Sequence, residues 1–401
     1  VNKTICSVPA KIMRNVVLLL TLLFLTGCWD RQELTEMGIV TGIALDMNKE
    51  TGEYILTSQF LRPASQSTVA PTPNEPFILI SATGKTIPEL MQKTNRNVDR
   101  NGFYPHNKVI IMSEEVAKSG VLHLFENFQR EQNIRSYAWL AVAKGTSARS
   151  LLEKHKTSIS SIPASFLNNL FMDANADAVS SNLLNFYKKA LKKGESPVIA
   201  VLSIDEGVEM TPQTTKLSGG AVFDGDRLAG FLNERETMAY NWVKTKIRNE
   251  TLGSYDFLSE DGSIVALALI DKNAKINPNV SKGSLDSFSI EVNLLTELSE
   301  HQPMKEFNEN ADIIHYLDNI EKQAEKKMKA DIRHLTETAQ KELESDILGF
   351  GDRLYKRYPS VWNKVKDNWR AHFKDLEIEV EVNVKIKNSG LIKGTLLPES
   401  M

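Results

Sequence analysis

Cysteine is almost absent from this chain of 401 residues: only Cys6 and Cys28 occur. Cys6 falls in a segment that reads as removable, and Cys28 is spoken for below. A mature protein without a free thiol has no disulfide, no cysteine metal site and no thiol nucleophile. Long apolar runs are also scarce. After the first 27 residues the longest is 264–270, far short of the roughly 20 residues that a spanning helix needs. A basic excess is missing too. The net charge is −3, and setting aside residues 1–27 removes Lys3, Lys11 and Arg14 and no acid, which takes it to −6. Basic blocks interleaved with aromatics do not occur, which argues against nucleic acid and against general adhesion to anionic lipid. There is no P-loop, no G-x-G-x-x-G frame and no G-x-S-x-G elbow. Gly219, Gly220 and Gly225 serve a turn and close strand approach.

What the chain does have is a marked N-terminus. Lys11 and Arg14 precede the nearly unbroken apolar stretch 16–25, and no acid appears before Asp30. The stretch then closes on Leu25-Thr26-Gly27-Cys28. Basic, apolar and small-residue zones in this order read as a signal peptide over residues 1–27. A cysteine directly after the cut is the bacterial lipobox pattern, so Cys28 is the expected lipidation site and the new N-terminus. A spanning anchor or a plain signal with a chance cysteine are the competing readings. The apolar run is only about half a membrane span, and acyl chains at Cys28 supply the anchor. Trp29, Asp30 and Arg31 sit beside it. A tryptophan there suits the lipid interface, or marks a protein contact close to the membrane.

Apolar content of 41% and charged content of 25% suit folded domains. The spacing of strand and helix signals predicts an α+β protein, exported and multi-domain, with mixed sheets flanked by helices and three domains. Residues 37–46 and 54–61 form a hairpin. The stretch 62–76 holds Pro63, Pro71, Pro73 and Pro76 and reads as a loop. A β-α-β-α-β block follows. It has strands at 77–81, 109–112 and 137–143, a helix after the Thr86-x-x-Glu89 capping box, a helix after Ser113, and helices near 147–155 and 181–193. Two apolar arms around Asp224-Gly225-Asp226 make a hairpin. Asn233-x-x-Glu236 caps a helix to about 247, and 263–270 is a strand. Near the C-terminus a strand through Phe288 and Leu294 precedes a long helix over about 311–347, whose apolar stripe recurs every 3.7 residues or so. A faultless alternation from Leu376 to Ile386 then marks a strand with one wet face.

One arrangement makes 62–215 an inserted β-α-β-α-β domain. Residues 28–61 plus 216–272 then form a first domain, in which 37–61, 219–232 and 263–270 share a sheet, and 284–401 forms the C-terminal strand–long helix–strand domain. The alternative is a continuous N-terminal domain over 28–200.

Candidate chemistry is sparse. His334 and Glu337 lie one turn apart on the long helix with His315 nearer its start, but no second cluster converges on them; a solvated face is the favoured reading. His106 reads as a packed loop residue. The charge run 321–329 reads as a solvated helix face. No cofactor is called for.

Three features together resemble one family: the lipobox running into Cys28-Trp29-Asp30-Arg31-Gln32-Glu33-Leu34, the hairpin 221–232 followed by Glu236-Thr237, and the strand–long helix–strand C-terminus. The chain resembles the C-subunit lipoproteins of spore germinant receptors, the Ger(x)C family, over essentially its whole length. Phe231 stands where tryptophan is commoner in that hairpin. The resemblance implies three α+β domains, a place on the outer face of the spore inner membrane, and assembly with a germinant receptor A subunit and a transporter-like B subunit. It implies no enzymatic activity. The alternatives from other classes are a solute-binding lipoprotein, hinged at 62–76 and 194–216, and a hydrolase, for which no carboxylate pair or nucleophile with its base is found.

Overall fold

The structure, a computed structural model, describes residues 11–12, 14–15, 36–62, 76–130, 134–153, 160–205, 214–244, 253–302 and 310–388. The lipobox and Cys28, Trp29, Asp30 and Arg31 lie outside these residues.

The first half is built on one large sheet. Its strands are β1 (Met37–Met47), β2 (Tyr54–Leu61), β3 (Phe77–Gly84), β4 (Asn101–Phe103), β5 (Val109–Ser113), β6 (Trp139–Ala143), β7 (Val198–Asp205), β8 (Thr214–Asp224) and β9 (Arg227–Leu232). The order is β3-β2-β1-β5-β6-β7-β8-β9, with β4 paired to the start of β1. The four central strands β1, β5, β6 and β7 are parallel, and an antiparallel pair flanks them on each side. Parallel strands need crossovers, and crossover helices cover both faces. On one face lie α1 (Ile87–Arg96), α2 (Glu114–Ser119), α3 (Leu122–Arg130) and, after β6, α5 (Leu183–Ala190); α4 (Pro163–Met172) covers the other.

The caps form as expected. Thr86 Oγ1 accepts from Glu89 N, Ser113 Oγ from Val116 N, and Asn233 Oδ1 from Glu236 N while Glu236 returns to Asn233 N. The helix after Ser113 is broken in two at Gly120 (φ +98°), where Asp226 takes up Val121 N and Leu122 N from the β8–β9 turn. Of the helix expected near 147–155, the described residues 147–153 form a 3₁₀ turn over Ser150–Leu152. Helix α4 was not legible as a helix. Its Pro163 sits at the first turn, and Ala164, Leu167 and Phe171 face the sheet.

The second half has four strands in the order β10 (Ser254–Leu258), β11 (Ile264–Ser281), β12 (Ser284–Gln302) and β13 (Glu377–Asn388). Helix α6 (Glu234–Lys244) leads into it from β9. Helix α7 (Asn310–Glu337) crosses from β12 to the parallel strand β13, followed by α8 (Phe350–Arg357), α9 (Pro359–Val365) and α10 (Trp369–Lys374). Ile320, Ala324, Met328, Ile332 and Leu335 carry the predicted stripe into the core against Phe288, Ile290, Val292, Val380 and Val382. The helix is shorter than 311–347, because it widens into a π-type turn at Thr338–Glu342 and ends near Glu344 (φ +45°). Strand β11 runs well past 270. Pro278 is tolerated there because β10 pairs only with 264–268, which leaves the rest of β11 as an edge.

Two sequence expectations are corrected. Residues 37–61, 219–232 and 263–270 do not form a sheet separate from the middle block. The strands of that block, β5 to β7, run between β1 and β8 in a single sheet, and β11 belongs to the other one. Strand partnership is non-local, so loop composition did not reveal it. The charge run 321–329 is also more than a solvated face. Glu325 and Glu321 turn toward the edge of β13 and accept Val384 N (3.0 Å) and Ile386 N (2.8 Å), as a neighbouring strand would. Lys385 pairs with Glu321 at 3.0 Å.

The two halves meet at glycine. A Cβ at Gly351 would lie 2.7 Å from Gly194 Cα and 2.9 Å from both the Trp362 and Trp369 rings. Gly351→Ala is expected to lower unfolding free energy by about 2 kcal/mol or more, by overpacking. Denaturant titration checks this, and a variant within about 0.5 kcal/mol of wild type would contradict the tight junction. Replacing Glu321 and Glu325 with alanine uncovers two edge donors. A loss of about 3 kcal/mol and concentration-dependent self-association in light scattering are expected; a monodisperse variant of unchanged stability would contradict edge protection.

Candidate functional site

Three polar constellations stand out. The first lies at the carboxyl edge of the parallel strands, where open α/β sheets form their crevices. A cleft of about 650 Å³ is lined there by Asp46, Lys49, Ser113, Glu114, Glu115, Thr146 and Arg149 among others. Its groups are already matched. Asp46 accepts Ala148 N (2.8 Å) and Arg149 N (3.0 Å), and burial pushes its carboxyl above the ordinary range against these donors. Glu114 accepts Gly145 N (3.0 Å), Lys49 pairs with Glu115 (2.9 Å), and Arg149 reaches Ser81 Oγ (2.5 Å) and Glu153 (3.4 Å). These bonds pin the 144–149 loop to β1 and β3.

The second constellation is the junction of the halves. Asp346 is buried, and its carboxylate accepts Gly349 N (2.7 Å), Phe350 N (2.9 Å), Gly351 N (2.8 Å) and Trp369 Nε1 (3.1 Å). Its own carbonyl accepts Ser196 N (2.8 Å), and Gly194 O accepts Asp352 N (2.9 Å). Between these lies Glu195, bound by Lys192 (2.8 Å) and Lys244 (3.0 Å); Lys244 also donates to Leu348 O (3.1 Å). Burial raises the Asp346 carboxyl to about 6, against its N–H donors and Lys244. Burial also works to raise Glu195, but the charge of Lys244 and the bonds from Lys192 and Lys244 outweigh it and hold Glu195 at about 2.

The third is the histidine neighbourhood singled out on the long helix. His334 Nε2 lies 3.3 Å from Glu236 Oε1, which also accepts Thr338 Oγ1 (2.8 Å). Thus His334 meets the α6 capping box, joining α6 to α7, and not Glu337. His106 packs beside Phe103 with ring centroids 5.5 Å apart, and His315 is exposed. Among the described residues, no group of three His, Cys, Asp or Glu converges as a metal site. The junction was missed in the sequence, because Gly194-Glu195 and Asp346-x-x-Gly349 carry meaning only once they are seen to face each other. A cluster of glycines around an isolated aspartate was its one local signal.

These features define an α+β scaffold, and no helix among the described residues is long and apolar enough to cross a bilayer. Its polar groups join elements to one another. The family described as "Spore germination protein N-terminal domain" matches residues 30–204, and "Spore germination B3/ GerAC like, C-terminal" matches residues 218–390. The chain belongs to the Ger(x)C family and has a role in spore germination. Among its relatives in Bacillus subtilis (strain 168), spore germination protein KC is 26% identical over 95% of this chain and 96% of its own length. Spore germination protein YndF is 28% identical (94% and 96%), and spore germination protein B3 is 25% identical (94% and 97%). The crystal structure of the GerBC protein shares the fold with a TM-score of 0.56 at 22% identity, covering 86% of this chain and 97% of that one.

The junction predicts a two-sided pH dependence. Because the folded pKa of Asp346 is raised from 3.8, its contribution is complete below about 3.8 and is lost as pH rises through about 6. Glu195 has the opposite sign: its contribution is complete above 4.5 and is lost as pH falls toward about 2. Each is worth about 3 kcal/mol at most. Denaturant titrations across this range should show a stability fall from about pH 4 to 6 that Asp346→Asn removes. The same change costs about 2 kcal/mol overall, because an amide N–H would face N–H donors. An unchanged slope in Asp346→Asn would refute the assignment.

Proposed function

We propose that this chain is the lipid-anchored, non-catalytic C subunit of a nutrient germinant receptor. Acyl chains on Cys28 hold it at the outer face of the spore inner membrane, and it works through contacts with the A and B membrane subunits. One observation carries the reading: the family match begins at residue 30, two residues after the Leu25-Thr26-Gly27-Cys28 run. The signal over residues 1–27 and a diacylglyceryl thioether on Cys28 follow from that run. Trp29, Asp30 and Arg31 then lie within the interfacial zone, where they meet headgroups or a membrane partner.

The test is Cys28→Ala in spores. We expect loss of fatty-acid labelling, loss of the protein from the membrane fraction and loss of nutrient germination, with germination by non-nutrient agents kept. A variant that stays at the membrane and germinates normally would overturn the reading. The solute-capturing alternative has the carboxyl-edge cleft in its favour, since its volume suits a small molecule. The internal pairing of Asp46, Glu115 and Arg149 ranks it second. Calorimetry of the whole chain against amino acids and sugars is expected to give no heat, and binding tighter than about 100 μM would promote it.

A further inference from the structure

Strand β13 closes one side of the second sheet, where β12 is its strand partner. Its residues alternate strictly. Ile378, Val380, Val382, Val384 and Ile386 turn toward the core, and Glu377, Glu379, Glu381, Asn383, Lys385 and Lys387 stand in water. The same period of two orders the backbone. Lys385 O accepts Thr296 Oγ1 on the β12 side at 3.3 Å, whereas Val384 N and Ile386 N point off the sheet to Glu325 and Glu321 of α7. The even-numbered residues therefore present their N–H and C=O groups at the edge. Glutamates cover two of these N–H groups. Among the described residues, no side chain covers those of Val380 and Val382.

The wet row is also ordered by charge. Acids fill its first part and bases its last, with Asn383 between them. Two such strands laid antiparallel about Asn383 complement each other. Glu381 of one stands opposite Lys385 of the other, and Glu379 stands opposite Lys387. Each Asn383 faces its own copy, which extends a row already begun by the bond from Asn383 Nδ2 to Asn293 Oδ1 (3.0 Å). On the core side Val382 meets Val384 and Val380 meets Ile386, apolar against apolar. Parallel pairing in register would instead set each charge against its like.

We propose that β13 is a latent dimer interface: it pairs antiparallel with β13 of a second copy and joins their two four-stranded sheets into one. Glu321 and Glu325 are its latch. On pairing, Val384 N and Ile386 N exchange these glutamates for Val382 O and Val380 O of the second copy. Lys385 exchanges Glu321, now at 3.0 Å, for Glu381 of the second copy. The same strand on both sides makes the contact isologous, so association stops at two. An open strand edge is a template for many strands. The charge order, which reads as its own complement about Asn383, is what selects a second copy. This inference is independent of the Cys28 anchor.

The experiment follows the full chain in non-ionic detergent by sedimentation velocity. Glu321→Ala/Glu325→Ala is expected to dimerise at least about tenfold more tightly than wild type, since the competing charged acceptors are gone. In that double variant, either Glu379→Lys/Glu381→Lys or Lys385→Glu/Lys387→Glu turns all the cross-strand ion pairs of the dimer into like-charge pairs. An ion pair contributes roughly a twofold factor and a like-charge pair costs about the same. With two pairs from each strand, either reversal should weaken the dimer about two-hundredfold. Equal parts of the two reversal variants should form a one-to-one heterodimer. No association by the double variant, growth past two, a dimer indifferent to both reversals, or a mixture that stays monomeric would each overturn the pairing. Hydrogen exchange tests it with the latch in place, should the double variant fold poorly. At high concentration the mixed reversal variants, with Glu321 and Glu325 kept, should protect Val380 N and Val382 N several-fold more than either variant alone. Equal exchange would overturn the pairing as well.

Discussion

The interaction on which this structure depends is the seating of Asp346 among backbone N–H groups where the halves meet. Four donors converge on one buried carboxylate while its own carbonyl receives Ser196 N. The bend this requires passes through Gly349 (φ +74°), and the approach of the other half passes through Gly194 (φ +70°) against Gly351. Asp346 takes up the N–H groups of Gly349, Phe350 and Gly351, and Gly194 O takes that of Asp352, so these donors are buried with partners. Glu195 brings a second carboxylate into the same space, and Lys192 and Lys244 balance it. Removing both lysines would leave a buried charge uncompensated, a change typically costing several kcal/mol.

The apolar side of the molecule follows this joint. Val179, Val198, Val222 and Leu232 come from the first half, yet they lie in one cluster with Trp242, Phe288, Met328, Phe350 and Trp362. The junction is thus a core continuous with that of the second sheet. The other two clusters line the opposite faces of the large sheet and end where its helices end. An isolated first half would expose the rim of β7 to β9, and an isolated second half would lose the partner of Asp346.

What was legible in the sequence tracks how one-sided each burial is. Strand β13 and helix α7 each face a core on one side and water on the other, so their periods of 2 and 3.6 appear in the residues. Caps were legible because a side chain and its N–H partner lie three residues apart. Helix α4 and the far part of β11 were not. The first is apolar on most of its surface, and the second carries Pro278, which is acceptable only where a neighbouring strand has already ended. The order of strands was beyond local reading, since β1 meets β5 and β6 meets β7 through partners roughly 60 residues away. The polar junction was beyond local reading too, because it joins Glu195 and Asp346, segments about 150 residues apart.

Polar groups at strand edges, turns and the junction share one physical logic. Glu321 and Glu325 cover N–H groups of an edge strand, Asp46 holds a loop across β1, Glu236 joins two helices, and Asp346 fills a bend. A carboxylate engaged by two or more fixed donors is held in one orientation by them. The same engagement ties loops, helix ends and the joint between the halves to the sheets that carry them, so the polar groups fix how the elements sit against one another.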